Sequence, residues 1–246
     1  MKIIECEQGT PEWLESRRCM VTGTKLGDVM GTKLDKLMLI CDLIGEEASE
    51  QSKAFKATAE MERGTLEEVF ARKHFEKIKG KKVKEIGFCI SDEFPFLGCS
   101  ADGWIENKGV LDEGIEIKSP DTKNAVFYKL ETMFSAEELG LGSYSAVTLK
   151  NPEPVFKPSA KAPWLGIPAQ YQWQTVNYFL VNENLKKMYF CIYDARFLDD
   201  ESKMTIVEIN RDNEILQDCL KEAKVELAKF REVWMTYRSA IIKDNF

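Results

Sequence analysis

The chain has 246 residues, of which 44% are hydrophobic and 30% charged, a composition typical of a globular protein with a sizeable core. Its formal net charge is −7, from 34 basic and 41 acidic side chains, which taken alone argues against a polyanionic partner. The sequence has no apolar run long enough to cross a bilayer and no signal-peptide core. We therefore expect one elaborated domain, residues 1–246, in the cytoplasm.

Cysteine and histidine usage excludes several kinds of site. The seven cysteines form no Cys-x-x-Cys pair, which disfavours zinc ribbons, iron–sulfur clusters and disulfide scaffolds. The single histidine, His74, lies among basic residues on a predicted helix and is expected at the surface. Any catalysis must then use carboxylates and lysine, with or without a bound metal.

The N-terminal part of the chain is predicted to be helical. Thr10 and Pro11 provide an N-cap and a first helical residue for a short helix to about Arg18. Further helices are predicted after Thr22, over residues 33–44, and over residues 58–79, where apolar side chains recur at helical spacing.

The middle of the chain changes to strand patterns. Strands are predicted over residues 83–90, 97–106 and 113–118, with turn residues between the last two. After them come two predicted helices, at residues 121–133 and from Ser135, where there is a capping-box pattern.

The C-terminal part combines helices with two strands. Five prolines in residues 151–168 predict an extended excursion. A helix over residues 168–181, strands over 187–193 and 204–209, and a long amphipathic closing helix follow. The predicted fold is α/β, with a central mixed sheet flanked by helices.

The chemistry is concentrated in Ser100-Ala101-Asp102-Gly103 and in Glu116-Ile117-Lys118-Ser119-Pro120. Side chains alternate along a strand, so Glu116 and Lys118 share one face, and the turn can bring Asp102 beside Glu116. Two adjacent carboxylates repel each other unless a hard divalent cation lies between them. Oxygen ligands favour Mg²⁺, with Mn²⁺ as a substitute, and the resulting site suits phosphodiester hydrolysis.

The individual roles follow from this arrangement. Asp102, Glu116 and the carbonyl of Ile117 are the expected metal ligands, and Lys118 can orient the attacking water or counter negative charge. A solvent-facing Glu–Lys pair on an edge strand is the alternative, because Glu-x-Lys alone is a weak motif. The upstream Asp-Gly and the trailing Ser-Pro favour the metal site.

These residues resemble the PD-(D/E)xK nuclease superfamily, and in particular the lambda-type phage exonucleases, or YqaJ-like viral recombinases. The similarity covers most of the chain, with Ala101 and Thr24 in place of the usual proline and serine. It consists of five motifs in order: Trp13…Arg17…Val21-Thr22-Gly23-Thr24, Gly64-Thr65-Leu66-Glu67…Ala71-Arg72, Ser100-Ala101-Asp102-Gly103, Glu116-Ile117-Lys118-Ser119-Pro120 and Tyr171-x-x-Gln174.

The resemblance implies further site residues. Glu67 would approach the metal site from its helix, directly or indirectly, and Gln174 would lie near the active site. Arg17, Thr24 and Ser100 would bind a 5′-phosphate, a suitable role because arginine and hydroxyl groups donate to phosphate oxygens. Two metal ions per site are expected from the same resemblance.

The resemblance also implies a function. It is that of a Mg²⁺-dependent exonuclease that degrades the 5′-ended strand of linear, 5′-phosphorylated duplex DNA and leaves 3′ overhangs for recombination. A homotrimeric ring and a single-strand annealing protein as partner are implied with it. Two alternatives remain open: a restriction-like or repair endonuclease on the same core, and a non-catalytic DNA-end-binding scaffold.

Positive and negative charges are unevenly distributed along the chain, so the net charge does not describe every segment. Residues 69–84 contain seven basic side chains and one acidic side chain, so the chain has a locally basic stretch. We expect such a stretch to face DNA in a confined channel while the rest of the surface stays acidic.

Overall fold

Seven α-helices and seven β-strands are present in the residues that the computed structural model describes, which are 1–49, 59–133 and 166–243. The helices are α1 Pro11–Ser16, α2 Gly23–Met30, α3 Lys33–Ala48, α4 Ala59–Lys79, α5 Thr122–Met133, α6 Gln172–Val181 and α7 Glu214–Ile241. The strands are β1 Lys2–Ile4, β2 Phe88–Ile90, β3 Gly98–Cys99, β4 Gly103–Asn107, β5 Val110–Lys118, β6 Lys187–Tyr193 and β7 Met204–Asn210. None of these helices is long and apolar enough to cross a membrane.

The strands form two sheets. One is antiparallel, with strand order β1-β2-β3, and the other has the order β4-β5-β6-β7. In the second sheet β5 and β6 are parallel, whereas the two outer pairs are antiparallel. The parallel pair requires a crossover connection, which includes α5 and α6. This mixed sheet flanked by helices confirms the predicted α/β class.

Helices cover both faces of the four-stranded sheet. Ile115 and Ile117 of β5 pack with Ala71 and Phe75 of α4 in the smaller apolar cluster. The opposite face joins the larger cluster, which includes residues of α2, α3, α6 and α7. Glu116 lies between the two isoleucines and therefore points away from α4, and only 1% of it is exposed.

The predicted strand over residues 97–106 is broken in the structure. Its first part is β3, in the antiparallel sheet, and its second part is β4, in the mixed sheet. Asp102 lies at the break, directly before β4. Gly103 allows a close contact there, because a Cβ at this position would lie 2.1 Å from Val83 Cγ1.

Other boundaries differ where strands are short. The predicted strand over 83–90 is reduced to β2 and an isolated bridge between Lys84 and Trp104. β1 is not predicted, because a three-residue strand has no periodic signal and depends on pairing with β2. Helix α3 continues to Ala48. The predicted helix from Ser135 and most of the proline-rich stretch lie outside the described residues.

Candidate active site

Glu116 is at the centre of a buried cluster of hydrogen bonds. Lys118 Nζ lies 2.6 Å from Glu116 Oε1, and Gln174 Nε2 donates to the same oxygen at 2.6 Å. The Tyr178 hydroxyl donates to Glu116 Oε2. Strand β5 thus supplies the carboxylate and the ammonium, and one face of α6 supplies the amide and the phenol. Burial alone would lower the pKa of Lys118, but the charges of Glu116 and Asp102 raise it above its usual value.

Asp102 joins this cluster from the break before β4. Its Oδ2 accepts a hydrogen bond of 2.6 Å from the Ile117 N–H. Since Gly103 is paired with Ile115, the residue before it comes next to Glu116. Burial, followed by the negative charges of Glu116 and Glu68, raises the pKa of Asp102 well above its ordinary value. Carboxylates are therefore crowded here.

A third carboxylate, Glu68 of helix α4, acts on Asp102 through its negative charge. Burial and then the charge of Glu116 raise the pKa of Glu68, while its ion pair with Arg72 opposes the shift. Arg72 also donates to the carbonyl oxygen of Asp102 at 3.2 Å. Glu67, the residue that the sequence motif predicts, instead has Oε1 3.8 Å from Arg63 Nε. Of the two adjacent glutamates, Glu68 is therefore the one whose charge acts on Asp102.

The donor set of this cluster fits a hard divalent cation. Asp102 and Glu116 offer oxygens only, and their mutual repulsion is the feature that a cation would relieve. Among the described residues, no group of three or more His, Cys, Asp or Glu side chains is arranged to hold a metal ion. Lys118, Gln174 and Tyr178 occupy the oxygens of Glu116. A cation with several water ligands, such as Mg²⁺, is compatible with two carboxylates and one backbone carbonyl.

A second group of polar residues surrounds Arg17. Its guanidinium carbon lies 4.0 Å from the centre of the Trp13 ring, and Nη1 donates to Ser100 Oγ at 3.4 Å. Trp13 Nε1 donates to the same hydroxyl at 2.8 Å, and Ser100 donates to the Gly87 carbonyl at 2.8 Å. Burial lowers the pKa of Arg17, and within the described ranges its guanidinium makes no ion pair. A partly buried arginine of this kind is suited to an anion.

The polar residues around Arg17 line one side of a cleft, and the first turn of α2 forms its other side. We call this cleft the arginine pocket. Its lining residues are Arg17, Thr22, Gly23, Thr24, Cys99, Ser100, Gln174 and Tyr178. Thr22 is the N-cap of α2, but its side chain makes no capping hydrogen bond. Free N–H groups at a helix N-terminus favour a negatively charged ligand. Gln174 and Tyr178 belong to both the arginine pocket and the Glu116 cluster, so the two groups adjoin.

Two arginines hold the chain directly after Lys118. Arg63 Nη2 donates to the Ser119 carbonyl, and Arg196 Nη2 donates to the Pro120 carbonyl, both at 2.9 Å. Arg196 Nε is in turn 2.6 Å from the buried carboxylate of Asp194. The exit of β5 is therefore tied to α4 and to the turn after β6, and Lys118 lies immediately before it.

We expect Arg196→Ala to lower the free energy of unfolding by about 1–3 kcal/mol, because the Asp194 carboxylate stays buried without its charged partner. Urea unfolding measures this change. Arg231→Ala is the matched control, since Arg231 lies over the ring of Phe96 at 5.8 Å and has no ion pair within the described residues. Equal unfolding free energies in both variants would contradict the expectation.

The basic stretch of residues 69–84 is mostly neutralised in the structure. Its ion pairs are Arg72 with Glu68 and Glu85, Lys77 with Asp200, Lys79 with Glu208, Lys81 with Glu113, Lys82 with Glu76, and Lys84 with Glu106. Lys73 alone makes no ion pair within the described part of the chain. The expected positive lining therefore does not follow from this stretch, because acidic side chains both near it and distant in sequence pair with it.

Sequence reasoning missed Tyr178, which donates to Glu116, and Glu68, whose charge acts on Asp102. The Gly-x-x-x-Glu spacing, counted from Gly64, reaches position 68 rather than 67, so the motif itself contained the signal for Glu68. Tyr178 lies one helical turn after Gln174, at the i+4 position that shares its face. The remaining predicted residues do come together: Asp102, Glu116, Lys118 and Gln174 in the cluster, and Arg17, Thr24 and Ser100 in the adjoining pocket.

A family model for the YqaJ-like viral recombinase domain matches residues 12–183. This range contains the arginine pocket, the Glu116 cluster and helix α6. The chain belongs to the YqaJ-like viral recombinase family. A comparison with curated proteins gives no match.

Solved structures with the same fold include known exonucleases. An alkaline exonuclease, LHK-Exo, from Laribacter hongkongensis aligns with a TM-score of 0.68 at 22% identity, over 94% of this chain and 96% of that chain. A second structure of LHK-Exo, in complex with dAMP, aligns equally well. A phage-related exonuclease from Haemophilus somnus 129PT aligns with a TM-score of 0.55 at 15% identity, over 89% of this chain and 96% of that one. At these identities the likeness is one of fold.

Proposed function

We propose that this YqaJ-like protein is a metal-dependent exonuclease that degrades the 5′-ended strand of linear duplex DNA and leaves 3′ single-stranded overhangs. The observation that carries the proposal is that the Glu116 cluster lies directly beside the arginine pocket. Gln174 and Tyr178 contact Glu116 and also line the pocket. A phosphate held in the pocket would place the neighbouring phosphodiester near the carboxylates. Family membership and the fold shared with exonucleases support the same reading.

Each side chain has a role in this proposal. Asp102, Glu116 and the Ile117 carbonyl would hold Mg²⁺, with Glu68 near enough to act on the pair electrostatically. A bound divalent cation lowers the pKa of water and stabilises charge on a phosphate. Lys118 keeps its proton next to Glu116 and can orient the attacking water or offset the developing negative charge.

The pocket residues account for end specificity and for polarity. Arg17, Ser100 and Thr24 would bind the terminal 5′-phosphate through charge-assisted hydrogen bonds. An end group anchored beside the cluster fixes which phosphodiester is cut, so nucleotides would leave from the 5′ end. Gln174 would position Glu116 from the wall that the pocket and the cluster share.

The direct test is digestion of linear duplex DNA with Mg²⁺ or Mn²⁺, with EDTA as control and with strands labelled at either end. Mononucleotide release from the 5′-labelled end, dependent on metal, is the expected result. Cutting of closed circles would favour a restriction-like or repair endonuclease. Tight binding to DNA ends without nucleotide release would favour a non-catalytic scaffold.

We expect Arg17→Ala to reduce kcat/KM on 5′-phosphorylated ends by about 10–100-fold, because a charge-assisted contact to phosphate contributes roughly 1.5–3 kcal/mol. Rates on 5′-hydroxyl ends should change little. The neighbouring Arg18→Ala is the matched control, since Arg18 pairs with Glu15 instead of lining the pocket. A loss of equal size on both kinds of end would contradict a phosphate-binding role for Arg17.

The assembly and the partner are also proposals. The family resemblance implies a homotrimeric ring around the duplex and an annealing protein that loads onto the 3′ overhang. Light scattering on the purified chain tests the trimer. A monomeric mass together with full exonuclease activity would rule out the ring as a requirement.

A further inference from the structure

Tyr178 is a fully buried tyrosine whose hydroxyl contacts the central carboxylate of the site. It is 1% exposed and donates to Glu116 Oε2. The same hydroxyl accepts a hydrogen bond of 2.9 Å from Gln174 Nε2, which also donates to Glu116 Oε1 at 2.6 Å. The phenol and the amide thus hold both carboxylate oxygens from one helix.

This arrangement restricts the orientation of Glu116. Gln174 and Lys118 both contact Oε1 and by themselves would leave the carboxylate free to turn about its Cγ–Cδ bond. The contact of Tyr178 with Oε2 fixes the plane of the carboxylate against helix α6. Side chains that fix the orientation of a metal-binding carboxylate commonly change metal affinity when they are removed. We propose that Tyr178 is a positioning residue that orients Glu116 for metal binding, an inference that rests on the proposed function of this site.

The chain provides a matched control for this proposal. Tyr189 is also buried, and its hydroxyl donates to Glu113 Oε2 at 2.8 Å. Glu113 and Glu116 belong to the same strand, but Glu113 pairs with Lys81 and not with any residue of the Glu116 cluster. Tyr189→Phe therefore removes a tyrosine–glutamate hydrogen bond of the same kind outside the site.

The experiment measures Mn²⁺ affinity of the full chain by calorimetry without DNA, together with kcat and KM on 5′-phosphorylated duplex. For Tyr178→Phe we expect about tenfold weaker Mn²⁺ binding and a lower kcat at limiting metal, with KM for DNA unchanged within about twofold. For Tyr189→Phe both quantities should equal those of the wild type.

Several outcomes would overturn the proposal. These are unchanged Mn²⁺ affinity in Tyr178→Phe, equal weakening in both variants, and a change confined to KM for DNA. Loss of folding in Tyr178→Phe alone, seen in thermal unfolding, would assign the hydroxyl to stability and would also overturn it. A wild-type protein that binds Mn²⁺ without degrading DNA would refute the proposed nuclease function, and the affinity comparison would still decide the role of Tyr178.

Discussion

Glu116→Gln is expected to reduce the rate of nucleotide release from linear duplex DNA by about 10³-fold or more. Glutamine keeps the size of the side chain but removes the negative charge, so the proposed metal site loses one of its two carboxylate ligands. Lys118 also loses its ion pair, which has a distance of 2.6 Å in the structure. Initial rates at saturating Mg²⁺, compared with the wild type, measure the effect.

The control for this prediction lies on the same strand. Glu113→Gln removes the same charge three residues earlier, at a carboxylate that pairs with Lys81 and Tyr189. Its nuclease rate should stay within about twofold of the wild type, because Glu113 pairs with Lys81 and Tyr189 and not with residues of the Glu116 cluster. Comparable losses in Glu113→Gln and Glu116→Gln would mean that the Glu116 cluster is not the reaction centre.

Asp102→Asn should stabilise the metal-free protein while it abolishes activity. The pKa of Asp102 is raised well above its ordinary value by burial and by the charges of Glu116 and Glu68. At neutral pH the folded state must therefore either bind a proton that the unfolded chain has released or keep an ionised carboxylate in unfavourable surroundings, and both cost free energy. We expect the variant to gain about 1–3 kcal/mol in free energy of unfolding at pH 7 with EDTA, measured by urea titration.

The pH dependence of that gain has a definite sign. A carboxyl group with a raised pKa binds its proton more tightly in the folded state, so its contribution to stability is present at low pH and is lost as the pH rises. The advantage of Asp102→Asn should thus vanish below about pH 4 and grow towards neutrality.

Asp112→Asn is a control with the opposite expected sign, because the pKa of Asp112 is lowered and not raised. Burial would raise the pKa of Asp112, but hydrogen bonds from Lys186 and Asn107 outweigh it and lower that pKa. Its substitution should destabilise the fold at neutral pH. A loss of stability in Asp102→Asn at pH 7 would show that the carboxylate is not under electrostatic strain.

Local patterns were sufficient for most helices and for the long strands. The Thr10–Pro11 cap, the periodicity before Lys79 and the alternation of Ile115, Glu116 and Ile117 correspond to α1, α4 and β5. These signals are local, because capping and side-chain alternation depend on residues within one or two turns. The break at Asp102 and strand β1 were missed, because each depends on pairing with a distant strand.

The sequence by itself determined the α/β class, the family motifs and the residue types available for chemistry, which are carboxylates, one lysine and one arginine. Only the tertiary structure brought the charge of Glu68 on α4 close enough to act on Asp102, which lies 34 residues later in the sequence. Tertiary structure also paired the basic stretch with acidic residues and placed the Tyr178 hydroxyl on Glu116. The physical reason is that charge compensation and hydrogen bonding act through space, between elements that are distant along the chain.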